Sequence, residues 1–246
     1  MDVPLLTIKN LSKSFRGLKA LQSISLEIET GQIVGIIGPN GAGKTTLFNL
    51  ISGNLVPDEG RLEFQGHSLL GLKPHQICRL GIARTFQIVK PFGNLTVLEN
   101  VAVGCFNRSP DTVTAEEKAW KILEFTGLDG KAMAPANNLT TPERKRLEMA
   151  RALATDPGLL LLDEVMAGLN PSEKDEVIDH VRRIRESGVT ILVIEHAMRV
   201  IMGLSDKIAV LNYGELIAYG DRQSVCSDPA VAEAYLGKDY VSAQRR

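Results

Sequence analysis

Between about residues 5 and 30, apolar and polar positions alternate. Ile24, Leu26 and Ile28 interleave with Ser25, Glu27 and Glu29, the period-two pattern of a strand with one buried face. Thr30-Gly31 ends that stretch as a turn. Gln32 to Ile37 differs: it is a short apolar, β-branched run, followed after nine residues by Leu47-Phe48-Asn49-Leu50-Ile51, apolar at helical spacing. Pro57-Asp58-Glu59-Gly60 is a turn, and Arg61 to Gln65 alternates again up to Gly66. Pro74 stands in the first turn of a helix opening at Lys73, which makes His75 an exposed helix residue. Gly81 to Gln87 reads as a strand that stops at Gln87, and Lys90-Pro91-Phe92-Gly93-Asn94 breaks the pattern. From Leu95 to about Thr126 the spacing is helical. Thr96 with Glu99, and Thr114 with Glu117, have the form of capping boxes, the second ahead of Trp120, Ile122, Leu123 and Phe125. Residues 132–138 read as a loop.

Thr141 as N-cap, Pro142 as first helical residue and Glu143 open a helix that ends at Thr155-Asp156-Pro157-Gly158. Leu159 to Leu162 is continuously apolar, which suits a parallel strand buried on both faces. Pro171 to Ser187 is amphipathic, with Val177, Ile178, Val181 and Ile184 on one face. Val189 to Ile194 reads as another buried strand. Asn212-Tyr213-Gly214 joins two strands, Lys207–Leu211 and Glu215–Tyr219, as a hairpin. A short helix follows near Pro229–Tyr235, and Gln244-Arg245-Arg246 is a fraying end. Buried strands alternating with helices predict an α/β fold. Two helices with no strand between them predict a helical sub-domain inserted into it.

Composition narrows the function classes. The chain has 246 residues, 44% of them hydrophobic and 23% charged, enough for a sizeable core. Its formal net charge of −1 speaks against bulk electrostatic binding of nucleic acid. Cys78, Cys105 and Cys226 are odd in number and far apart, so neither a disulfide framework nor a metal spacing follows. No apolar run approaches the roughly 20 residues that span a bilayer. The N-terminal Met1-Asp2-Val3-Pro4 has no basic region or long apolar core, so no signal peptide is expected. The expected compartment is the cytosol.

The chemistry is concentrated in Gly38-Pro39-Asn40-Gly41-Ala42-Gly43-Lys44-Thr45-Thr46, on the turn from a strand into a helix. The spacing fits the phosphate-binding P-loop. Glycines let the backbone approach and turn, consecutive N–H groups at a helix start cradle an anion, Lys44 reaches the β- and γ-phosphates, and Thr45 offers a hydroxyl to Mg²⁺. Asp163-Glu164 closes the apolar run Leu159–Leu162, at the carboxyl edge where open α/β sheets bind ligands. This is a Walker B pattern, with Asp163 for Mg²⁺ and Glu164 to orient or deprotonate a water. Gln87 and His196 each end a strand at that same edge; His196 is a candidate sensor of the γ-phosphate. Phe15, in a polar stretch ahead of the P-loop, is either an adenine-stacking aromatic or a core residue at a strand end.

In this order the motifs resemble the ATP-binding-cassette (ABC) ATPases over nearly the whole chain. They are Walker A at Gly38–Thr45, a Q-loop ending in Gln87, a signature-like run Leu139-Thr140-Thr141-Pro142-Glu143, Walker B at Asp163-Glu164, a D-loop at Ala167-Gly168-Leu169-Asn170, and His196. Ala83–Gln87, Leu161–Pro171, Val193–His196 with Met198, and the tail Ala234–Gly237 are similar to the ATPase subunits of branched-chain amino-acid importers.

The resemblance implies a P-loop (RecA-like) core at about 31–59, 67–90 and 154–220. It adds an antiparallel β sub-domain at about 1–30 and 60–66, a helical sub-domain with the signature at about 91–153, and a tail at about 221–246, all within one ABC domain. It implies ATP with Mg²⁺, the metal held by Thr45, Gln87 and Asp163. Catalysis would rest on Glu164, His196, Gln87 and Lys44, nucleotide binding on Phe15 and Gly38 to Thr46. The signature would act in trans on a partner cassette's nucleotide. The implied partners are a second ABC ATPase, two membrane permease subunits and, indirectly, a periplasmic solute-binding protein. The implied location is peripheral, on the cytoplasmic face of the inner membrane.

Import of another small solute (an amide, urea or an organic acid), a soluble non-transport ABC ATPase and a regulatory nucleotide-binding module stay open as alternatives. The signature departs from the usual Leu-Ser-Gly-Gly-Gln: Thr141 and Pro142 replace both glycines and Glu143 replaces Gln. Pro142 has no N–H to offer a phosphate. This predicts a weakened signature and a heterodimer with a better-endowed ATPase, with a homodimer as the alternative.

Overall fold

The computed structural model describes residues 3–87, 90–109 and 111–236, and the expected frayed end at residues 244–246 lies outside them. The chain forms two compact units, residues 1–74 with 190–246, and residues 75–189.

The first unit holds two sheets. Strands β1 (Leu6–Phe15), β2 (Leu18–Ile28), β4 (Glu59–Phe64) and β5 (His67–Ser68) form an antiparallel sheet in the order β2-β1-β4-β5. The alternation seen in the sequence fixes its faces: Ile24, Leu26 and Ile28 are all buried. Arg16 and Gly17 both take positive φ (47° and 88°), the conformation a two-residue hairpin needs, so Phe15 ends at a hairpin tip. In the second sheet β3 (Ile33–Ile37) lies between β8 (Thr190–Ile194) and β9 (Lys207–Asn212), parallel to both. β10 (Glu215–Gly220) returns antiparallel on β9 through Tyr213 and Gly214, again both at positive φ. β3 and β8 are buried at every position, as a strand covered on both faces must be. Helix α1 (Lys44–Ile51) follows β3, and α7 (Met198–Leu204) packs on it. Gly35 is required there, because a Cβ at that position would come 2.6 Å from Ile201 Cγ2. Helices α8 (Arg222–Cys226) and α9 (Pro229–Leu236) complete the unit; α8 was not expected from the sequence.

The second unit begins within α2 (Pro74–Leu80), at His75, and contains the parallel pair β6 (Ile82–Arg84) and β7 (Leu159–Asp163), joined by helices α3 (Val97–Cys105), α4 (Thr112–Thr126) and α5 (Thr141–Leu153). Helix α6 (Pro171–Glu186) follows β7. The helices bury a cluster that includes Val97, Val101, Leu123, Leu128, Leu147 and Ala150. The expected start of α3 holds, since Thr96 Oγ1 accepts the Glu99 amide at 3.1 Å and Glu99 returns to the Thr96 amide at 2.7 Å. Three boundaries differ from the pattern-based expectation. Helix α4 begins at Thr112, because the Asp111 carboxylate accepts the Thr114 amide at 2.9 Å and is the better cap. Helix α5 is capped at Thr140 rather than Thr141, because Glu143 reaches the Thr140 amide at 2.9 Å. Strand β6 ends at Arg84: the Thr85 amide makes the last ladder bond, to the Leu161 carbonyl, and the Phe86 amide turns away to the Glu148 carboxylate. The expected loop at 132–138 is framed by two single 3₁₀ turns. Among the described residues no helix is long and apolar enough to cross a membrane.

Candidate active site

In the first unit the sequence-predicted phosphate loop leaves the carboxyl end of β3. The loop is shaped by positive φ at Gly41 (79°) and Gly43 (105°). Gly43 is the N-cap of α1, with no side-chain cap and no acidic residue in the first turn. Such a helix start presents N–H groups and a positive dipole end to an anion. A Cβ at Gly43 would come 2.6 Å from the Ala20 carbonyl oxygen, whereas one at Gly41 would meet nothing within 4 Å. The loop is therefore backed by protein on one side and open on the other. Lys44 is buried, and its Nζ donates to the carbonyl oxygens of Gly38 (2.7 Å) and Pro39 (2.9 Å). The ammonium is thus held over its own loop, where phosphate oxygens would replace the carbonyls. Ala42 is buried, while Asn40 and Thr45 are exposed and Pro39 and Thr46 half-buried.

His196 follows β8, the strand that pairs with β3 through Ile36 and Ile194, so both chain segments leave the sheet at the same edge. His196 is exposed and its neighbour Glu195 is buried. Phe15 is 42% exposed, with Lys13 Nζ 5.6 Å from its ring centre. That excludes the core reading and leaves an accessible aromatic face. One contact escaped the sequence reading. Tyr235 on α9 accepts the Gly38 N–H, and burial pushes its phenol up to about 12. Nothing local marks a tail tyrosine for this contact with the phosphate loop.

In the second unit the Walker B residues end β7, and the parallel register Arg84↔Leu161 brings the end of β6 beside them. Gln87 Nε2 donates to Glu164 Oε2 at 2.8 Å. Asp163 is 2% exposed and ion-paired with Arg84 at 2.8 Å. Its own amide donates to Thr85 Oγ1 at 3.0 Å. A buried carboxylate held against a cation is suited to take a divalent metal in exchange. Glu164 has φ of 49°, a left-handed conformation that a non-glycine residue keeps only where its surroundings enforce it.

The run Leu139 to Glu143 opens α5. Leu139 is buried, Thr140 and Thr141 are exposed, and Pro142 lies in the first turn. Glu143 does not leave an uncompensated charge there. Lys131 pairs with it, and chiefly that hydrogen bond, with those from Thr140, holds its carboxyl at about 2. Asn170 caps α6 by accepting the Glu173 amide at 3.0 Å, so its polar side chain has a structural duty.

Residues 21–167 match the family model described as ABC transporter. The chain belongs to the ABC transporter family. It is 40% identical over 95% of its length, and 95% of the relative's, to a probable branched-chain amino acid transport ATP-binding protein LivG of Archaeoglobus fulgidus. Among solved structures it is similar to the ADP conformation of an ATP-binding cassette of an ABC transporter, with TM-score 0.86 and 34% identity over 96% of this chain and 100% of that one. It is also similar to a dimeric cassette in a post-hydrolysis state with ADP and Pi, with TM-score 0.80 and 25% identity over 88% and 98%. This ABC cassette is an ATPase with the expected α/β fold, antiparallel sheet and helical part.

Proposed function

We propose that this ABC ATPase drives a membrane importer of branched-chain or related amino acids, working peripherally on the cytoplasmic face of the membrane. The observation that carries the catalytic part is the Gln87–Glu164 pair, 2.8 Å apart at the ends of two adjacent parallel strands. Glu164 is the group that orients or deprotonates the attacking water, and the Gln87 amide holds its carboxylate in place. Lys44 and the amides at the start of α1 bind the phosphates, His196 senses the γ-phosphate, and Phe15 stacks on adenine. Thr45, Gln87 and Asp163 are the residues that would hold Mg²⁺, which supplies charge neutralisation at the phosphates. The Arg84 partnership of Asp163 supports that assignment, since it marks a carboxylate kept for a cation. Leu139 to Glu143 acts on the nucleotide of a second ABC ATPase. The absence of an N–H at Pro142 supports a heterodimer in which this chain donates the weaker signature. Two permease subunits and a periplasmic binding protein complete the assembly. The amino-acid assignment rests on the 40% identity to the transport protein named above.

The test is ATP hydrolysis by the purified chain, alone and with the ATPase encoded beside it. Glu164→Gln should lower turnover by at least about 100-fold. Full activity of that variant would remove Glu164 from the chemistry, and strong activity of the chain alone would remove the heterodimer.

A further inference from the structure

Helix α5 carries two buried charges outside the residues assigned so far. Lys145 and Glu148 are 6% and 7% exposed. Three residues apart, they project from one face of the helix. A buried charge is costly unless its hydrogen bonds are met, so the partners of these two side chains are informative. Lys145 Nζ donates to the backbone carbonyl of Glu164 at 3.2 Å. Glu148 Oε1 accepts the backbone N–H of Phe86 at 2.5 Å. Each partner is main chain, and each lies at a strand end that carries one member of the Gln87–Glu164 pair. Glu164 also takes a left-handed conformation, with φ of 49°. A strained backbone of that kind persists only where its surroundings over-determine it, and Lys145 supplies such a restraint directly.

We propose that Lys145 and Glu148 are positioning residues for hydrolysis: they tie α5 to the backbone at Glu164 and at Phe86, so that the geometry of the Gln87–Glu164 pair follows α5. The inference rests on the assignment of Glu164 as the group that acts on water. Burial pushes the Glu148 carboxyl above its ordinary value, and the Phe86 N–H, Lys145 and Arg151 oppose that rise. Because α5 also opens with Leu139 to Glu143, a displacement of that run would reach the catalytic pair through two side chains of the same helix.

The test measures ATP turnover by the complete ATPase assembly with Lys145→Met, Lys145→Arg, Glu148→Leu or Glu148→Gln in this chain, and Glu164→Gln as reference. Hydrogen exchange at the Phe86 amide is followed in parallel. Lys145→Met and Glu148→Leu should lower kcat about ten- to a hundredfold, with the KM for ATP changed less than about twofold. Arg and Gln, which preserve a donor and an acceptor, should restore most of the rate. Exchange at Phe86 should quicken in Glu148→Leu and not in Glu148→Gln. Normal turnover of Lys145→Met while Glu164→Gln is inactive would overturn this inference alone. Activity in Glu164→Gln would overturn the site assignment beneath it. A parallel loss in kcat and KM that Arg and Gln fail to rescue would reduce both residues to a packing role and also overturn the proposal.

Discussion

Replacing Arg84 by Leu removes the cation beside Asp163 and leaves a carboxylate with only 3% of its side chain exposed. With charge centres about 4 Å apart and an effective dielectric near 20, the lost attraction is about 4 kcal/mol. Truncating one partner of a buried pair costs about 3–5 kcal/mol, because the remaining charge stays desolvated. For a chain of 246 residues, a loss of about 3 kcal/mol lowers Tm by roughly 6–12 °C. The assay is calorimetry of the purified chain in a double-mutant cycle of Arg84→Leu, Asp163→Asn and the pair together, without nucleotide. The double variant should be more stable than the sum of the single losses allows, by about 2–3 kcal/mol, since neither side then strands a charge. If the pair occupies the place a divalent cation takes, Mg²⁺ with ATP should recover part of the Arg84→Leu loss and none of the loss in Asp163→Asn. Additive single effects, or a fall in Tm below about 2 °C for Arg84→Leu, would refute the argument that Arg84 holds Asp163 as a charged pair.

Gly43→Ala places a Cβ 2.6 Å from the Ala20 carbonyl oxygen at φ of 105°; it should cost about 1–3 kcal/mol and abolish tight nucleotide binding, and wild-type affinity by calorimetric titration would contradict the cradle. Lys131→Met tests the Glu143 pair: its carboxyl falls from 4.5 to about 2, so the stabilisation is full above about 4.5 and is lost as pH falls toward 2. With Lys131 nearly half exposed, urea melts should show about 0.5–1 kcal/mol between wild type and variant at pH 7, closing in acid, and a gap independent of pH would exclude the ion pair.

Much of the fold was legible because its cause is local. The alternation of Ile24, Leu26 and Ile28 and the continuous burial of Leu159 to Leu162 follow from period and β-branched or apolar content alone. The phosphate loop was equally legible, since its glycines are needed for φ values the backbone must take whatever surrounds it. Capping, by contrast, is a competition between neighbours. Asp111 displaced Thr114, and Thr140 displaced Thr141, because the distance of a carboxylate from a particular amide settled each case.

The sequence by itself determined the α/β class, the order of the motifs, and which residues are proposed to bind phosphate, hold a metal and act on water. Only the tertiary structure decided which distant groups bond to one another. Arg84 on Asp163, Lys131 on Glu143, Lys145 on the Glu164 carbonyl and Tyr235 on the Gly38 amide join residues 12 to 197 positions apart. Such pairings depend on the register of β6 against β7 and on how helices pack. A lone Arg, Lys or Tyr carries no trace of them in its own neighbourhood.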